Sequence, residues 1–119
     1  MPRRALYLSL LPMLAAAPCF AHAILVDSIP APNAHLAPGP LTIKFRYNSR
    51  IDTGRSKLTL TSPDGTETRL VIGDGGAPAM LTASATVGPG AYTLRWQVLA
   101  VDGHITRGTV PFQVDTVVK

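Results

Sequence analysis

Alternation of apolar and polar residues constrains this chain more than any other feature. Tyr92, Leu94, Trp96, Val98 and Ala100 fall on one face of a stretch whose other face carries Thr93, Arg95 and Gln97. That period of two is the signature of a half-buried strand. Leu41, Ile43, Phe45 and Tyr47 repeat it against Thr42, Lys44 and Arg46, and Leu58 and Leu60 against Thr59 and Thr61. Ile24 to Ser28, Thr68 to Ile72, Met80 to Val87 and Thr109 to Val114 bring the set to about seven strands. Turn chemistry fills the gaps: Pro30-Ala31-Pro32-Asn33, Pro63-Asp64-Gly65, Gly73-Asp74-Gly75-Gly76 and Gly88-Pro89-Gly90. Pro111 inside the last strand predicts a sheet edge or a bulge there. No amphipathic helix is visible. The pattern predicts an all-β fold of seven antiparallel strands, a two-sheet sandwich of immunoglobulin-like shape, with Trp96 in the core.

The first residues follow a different rule. Arg3 and Arg4 precede a thirteen-residue apolar run, Ala5 to Ala17. A spanning helix needs about 20 residues, so this run reads as a secretory signal peptide. Cleavage after Ala21 exposes His22; cleavage after Ala23 satisfies an Ala-x-Ala pattern and removes that histidine. Cys19 as a lipidated residue is disfavoured by Pro18, and Arg3-Arg4 fits a twin-arginine signal poorly. The expected organisation is a signal peptide over 1–21 and one β-domain over 22–119, exported to the periplasm with no membrane insertion of the mature chain. Residues 22–119 contain no Cys, so no disulfide is expected despite an oxidising compartment. They hold nine Lys and Arg against seven Asp and Glu, a formal charge of 9 − 7 = +2. No basic stripe with interleaved aromatics exists, and nucleic acid is not an expected partner.

Three residues carry candidate chemistry. Asp102-Gly103-His104 follows the longest strand, and Gly103 permits a turn between the two side chains. An N-terminal His22 offers two nitrogens, the α-amine and ring Nδ1, that can close one chelate ring on a metal. Both lose their protons to a cation near neutral pH. His104 adds a third nitrogen and Asp102 an anionic oxygen. Such a donor set suits Cu(II), whereas soft ligands for Cu(I) are nearly absent, Met80 being the sole Met after residue 21.

From His22 the chain reads His-Ala-x-Leu-x-x-Ser-x-Pro-Ala-Pro-Asn-Ala. From Tyr92 it reads Tyr-Thr-Leu-Arg-Trp-Gln-Val-Leu-Ala-Val-Asp-Gly-His-Ile-Thr-Arg-Gly-Thr-Val-Pro-Phe-Gln-Val. This resembles the CopC family of periplasmic copper-resistance proteins over residues 22 to about 114. The resemblance implies a Greek-key β-barrel or sandwich, with one Cu(II) per mature chain bound by His22, Asp102 and His104. It favours cleavage after Ala21, and it implies an inner-membrane copper-handling protein as the recipient. Two departures stand out. The Ile72–Met80 stretch has one Met and no His, so no second, methionine-rich site is expected. The family's Phe-Ser-Glu stretch is replaced by Phe45-Arg46-Tyr47-Asn48, which leaves Asn48 as a neutral hydrogen-bond partner where an acid would stand.

Other readings are weaker. Asp52-Thr53-Gly54 matches an aspartic-protease tripeptide, but Arg55-Ser56 follows it and the histidines go unexplained. His35 lies in a Pro/Gly-rich segment and reads as a solvated loop residue rather than a ligand. A histidine brace could serve an oxidative copper enzyme, although Asp102 would crowd an open oxygen position. A plain interaction module with incidental histidines completes the alternatives. The leading expectation is a soluble, non-enzymatic Cu(II) carrier or scavenger.

Overall fold

The structure is a computed structural model and describes residues 23–73 and 77–116. Eight strands and no helix appear among them. They are β1 (Leu25–Ile29), β2 (Ala34–Leu36), β3 (Gly39–Tyr47), β4 (Ile51–Thr61), β5 (Glu67–Arg69), β6 (Met80–Val87), β7 (Gly90–Ala100) and β8 (Ile105–Val114). One sheet has the order β1-β3-β6, the other β2-β8-β7-β4-β5. The all-β, two-sheet architecture follows from the alternation. Inward positions of the long strands are Ile43, Phe45, Leu58, Leu94, Val98, Val110 and Val114, all at most 1% exposed, and their sequence neighbours face out. Tyr47 meets Trp96 edge to face with centroids 5.3 Å apart, and Tyr92 stacks on Phe112 at the same separation. Gly108 stands directly opposite Trp96 in the β7–β8 ladder. A Cβ there would lie 2.5 Å from Trp96 Cζ2, so the indole needs a glycine across from it.

Three expectations require correction. The strands number eight rather than seven, because Ala34–Leu36 forms β2, which runs parallel to β8 rather than antiparallel. Its Pro/Gly-rich surroundings hide a strand of only three residues. His35 is therefore on a strand, not in a loop; its side chain is solvated, as expected. Finally, β8 is not an edge strand, since β2 covers part of it. Pro111 is tolerated for a geometric reason. Its carbonyl accepts from Asn33 N at 2.6 Å, on the side away from β7. A residue's N and O point to the same side of a strand, so the missing N–H falls outside the β7–β8 ladder, and β2 pairing starts only at Phe112.

The β4–β7 ladder is interrupted. Asp52 pairs with Leu99 and Lys57 with Gln97, so Thr53 to Ser56 oppose a single residue, Val98. Ser56 repairs the gap: its buried Oγ donates to Asp52 O at 2.7 Å and accepts from Leu99 N at 3.3 Å. The Asp52-Thr53-Gly54 tripeptide is thus part of a bulged strand.

Tyr47 buries its hydroxyl without a hydrogen-bond partner, as does Trp96 its Nε1. Burial pushes the Tyr47 phenol well above its ordinary 10.0. The unfolded chain ionises this phenol near pH 10 while the folded chain holds the proton, so stability should fall as pH rises past that value. Tyr47→Phe removes the stranded hydroxyl. It should leave stability unchanged or raise it, by up to ~1–3 kcal/mol, and should flatten the alkaline loss. Thermal unfolding at several pH values checks both; a destabilised Phe variant would show that the hydroxyl has a partner in solution.

Candidate metal centre

The β7–β8 hairpin builds the centre of the site. Gly103 N donates to Ala100 O at 2.9 Å, and Ala100 N donates to His104 O at 2.8 Å. Gly103 has φ +91°, so this is a three-residue hairpin loop closed by a left-handed glycine. The turn brings Asp102 and His104 together. Asp102 Oδ1 accepts from His104 N at 3.0 Å, and Oδ2 lies 2.7 Å from His104 Nδ1. A carboxylate can only accept, so Nδ1 carries the ring proton and Nε2 the lone pair. A carboxylate that fixes the tautomer and orientation of an imidazole is the arrangement found behind metal-binding histidines. The His104 side chain is 61% exposed, so its ring can meet an ion from solvent.

The beginning of the described chain is fastened to the same end of the sandwich. Ala23 is fully buried, and its carbonyl accepts from Thr106 Oγ1 at 2.7 Å. Asn48 clasps the next residue from both sides: Ile24 N donates to Asn48 Oδ1 at 2.8 Å, and Asn48 N donates to Ile24 O at 3.0 Å. Asn48 is therefore a backbone clamp for the chain's start. Thr106 went unremarked in the sequence; its only signal was its place two residues beyond His104, on the same side of the strand. His22, the third residue of the expected set, lies outside the described residues.

Among the described residues, no group of three or more His, Cys, Asp or Glu could hold a metal ion. The Asp102–His104 pair supplies too few donors alone. His35 stands elsewhere, with Nδ1 3.1 Å from both carboxylate oxygens of Asp115. Tyr47 and Trp96 pack in the core, as expected. Asp52 is exposed, and its carboxylate lies 3.9 Å from Arg55. No helix among the described residues is long and apolar enough to cross a membrane.

Residues 25–115 match the family model of the CopC domain. The chain belongs to the CopC family. Among curated relatives of this CopC-family chain, protein YobA of Escherichia coli strain K12 is 29% identical over 99 residues, 80% of each chain. Copper resistance protein C of Xanthomonas campestris pv. juglandis is 29% identical over 110 residues, 85% of this chain and 86% of that one. The crystal structure of CopC from Methylosinus trichosporium OB3b superposes with a TM-score of 0.71 at 28% identity, covering 82% of this chain and 98% of the other. The CopC match begins at Leu25, past His22, and includes Asp102 and His104.

Proposed function

We propose that this protein is a periplasmic Cu(II) carrier or scavenger serving copper resistance or homeostasis, which binds one Cu(II) per mature chain through His22, Asp102 and His104. In this reading residues 1–21 are removed on export. His22 then supplies its α-amine and ring nitrogen, His104 a ring nitrogen, and Asp102 a negative charge that offsets the ion's and holds the His104 tautomer. One observation carries the reading. Ala23, one residue after His22, is buried and hydrogen-bonded to Thr106, two residues after His104. Ala23 thus lies at the same end of the fold as the Asp102–His104 turn, and a His22 one Cα step of about 3.8 Å away would be within reach of it, which supports the reading. Family membership and a relative named for copper resistance support copper as the metal.

Holding and delivery, rather than oxidative turnover, is the reading favoured by a relative named for copper resistance. The recipient in this reading is a copper-handling protein of the inner membrane. The test is a competition titration of the protein beginning at His22 with Cu(II) and a coloured chelator. One equivalent should bind. Asp102→Ala should weaken binding by ~10–100-fold, the usual cost of losing a carboxylate behind a metal-binding histidine. Unchanged affinity in that variant would remove Asp102 from the site.

A further inference from the structure

We propose that the outer face of the five-stranded sheet binds an acidic segment of a partner protein. Leu58, Leu60, Leu94 and Trp96 turn inward, so Lys57, Thr59, Arg95 and Gln97 turn outward. Strand register then assembles cations that the sequence scatters from 57 to 107. Arg69, Thr59 and Arg95 form one cross-strand row; Lys57, Gln97 and Arg107 form the next. These six residues, together with Trp96, line an open pocket of about 250 Å³. The four cations of these rows and Glu67, the carboxylate bonded to Arg95, give this patch a charge of 4 − 1 = +3. Residues 22–119 as a whole carry +2, so everything else sums to −1.

The face already holds one carboxylate: Arg95 Nη2 donates to Glu67 Oε1 at 3.1 Å. Arg107 Nε donates to Gln97 Oε1 at 2.8 Å, which steadies that guanidinium. Lys57 and Arg69 have no ion pair among the described residues. The rows are two residues apart, roughly 6.8 Å, which is also the spacing of alternate side chains in an extended peptide. Carboxylates at every second position of such a segment would reach both rows. Thr59 and Gln97 between the cations are polar and offer hydrogen bonds to a peptide rather than an apolar wedge for a bilayer. The face shares the β7–β8 hairpin with His104, three residues before Arg107, so a docked partner would sit beside that turn.

The probe is a labelled peptide of alternating Glu and Ser, followed by fluorescence anisotropy with the exported protein. The double variant Lys57→Gln/Arg69→Gln changes only exposed side chains, and its melting temperature verifies the fold. The Glu peptide should bind at low salt and lose about tenfold in affinity in the double variant, since each exposed pair removed is worth up to ~1 kcal/mol. Arg50→Gln, outside the face, should bind as the parent does. The proposal is overturned if the double variant binds equally well, if a Gln–Ser peptide binds as tightly, or if inorganic phosphate or phosphatidylglycerol vesicles, rather than the Glu peptide, show the dependence on Lys57 and Arg69.

Discussion

A secreted form that begins one residue before His22, or that carries His22→Ala, is expected to lose more Cu(II) affinity than the ~10–100-fold that follows removal of a group behind a ligand. The extension turns the α-amine of His22 into a peptide nitrogen, whose lone pair is delocalised into the carbonyl and which must lose its proton before it can bind the ion. The substitution keeps the amine and removes the ring. Either change would open the proposed two-nitrogen chelate. In the proposed reading the chelate would gain from the fastening of Ala23 to Thr106 and of Ile24 to Asn48, because the two residues that follow His22 are already ordered near the β7–β8 turn. A competition titration with a coloured chelator measures the loss. Equal affinity in the parent and the extended form would mean that the amine is not a ligand.

Phe45→Ala should cost ~3–5 kcal/mol, the range for deleting a large buried aromatic side chain. Phe45 is fully buried on β3, the central strand of the three-stranded sheet, opposite Ser28 on one side and Leu81 on the other. Its ring is part of the core between the sheets, so its removal leaves a cavity there. A domain of this size typically has about 5–15 kcal/mol in all, and residues 22–119 contain no Cys to crosslink it. Urea unfolding should show a much lower midpoint with an unchanged slope. A loss below about 1 kcal/mol would mean that the two sheets close over the gap.

Much of the fold was legible because burial on one face of a sheet writes itself as a period of two. Ile43, Phe45, Leu94, Trp96 and Val98 were readable as core for that reason. What escaped is what pairing alone decides. Three-residue β2 is too short to show a period, and its parallel partner β8 is nearly eighty residues away. The unfavourable proline in β8 became acceptable only once Asn33 was known to face it. At the site, the Asp102-Gly103-His104 turn could be foreseen from Gly103, and the hydrogen bond from His104 to Asp102 follows from that turn. Thr106 and Asn48 could not be placed, because their partner is the backbone of Ala23 and Ile24, and a backbone leaves no mark in composition. The cationic face was hidden for a similar reason: Lys57, Arg69, Arg95 and Arg107 form no run, and only the register puts them together.

The most direct test of the copper reading is the electron paramagnetic resonance spectrum of the protein beginning at His22, loaded with one equivalent of Cu(II) and labelled with ¹⁵N in the histidine rings only. A tetragonal four-line spectrum is expected, with two ¹⁵N couplings from the rings of His22 and His104 and one ¹⁴N coupling from the α-amine. His104→Ala should remove one of the ¹⁵N couplings. A spectrum without the ¹⁴N coupling, or one that His104→Ala leaves untouched, would contradict a copper ion shared between the start of the chain and the β7–β8 turn.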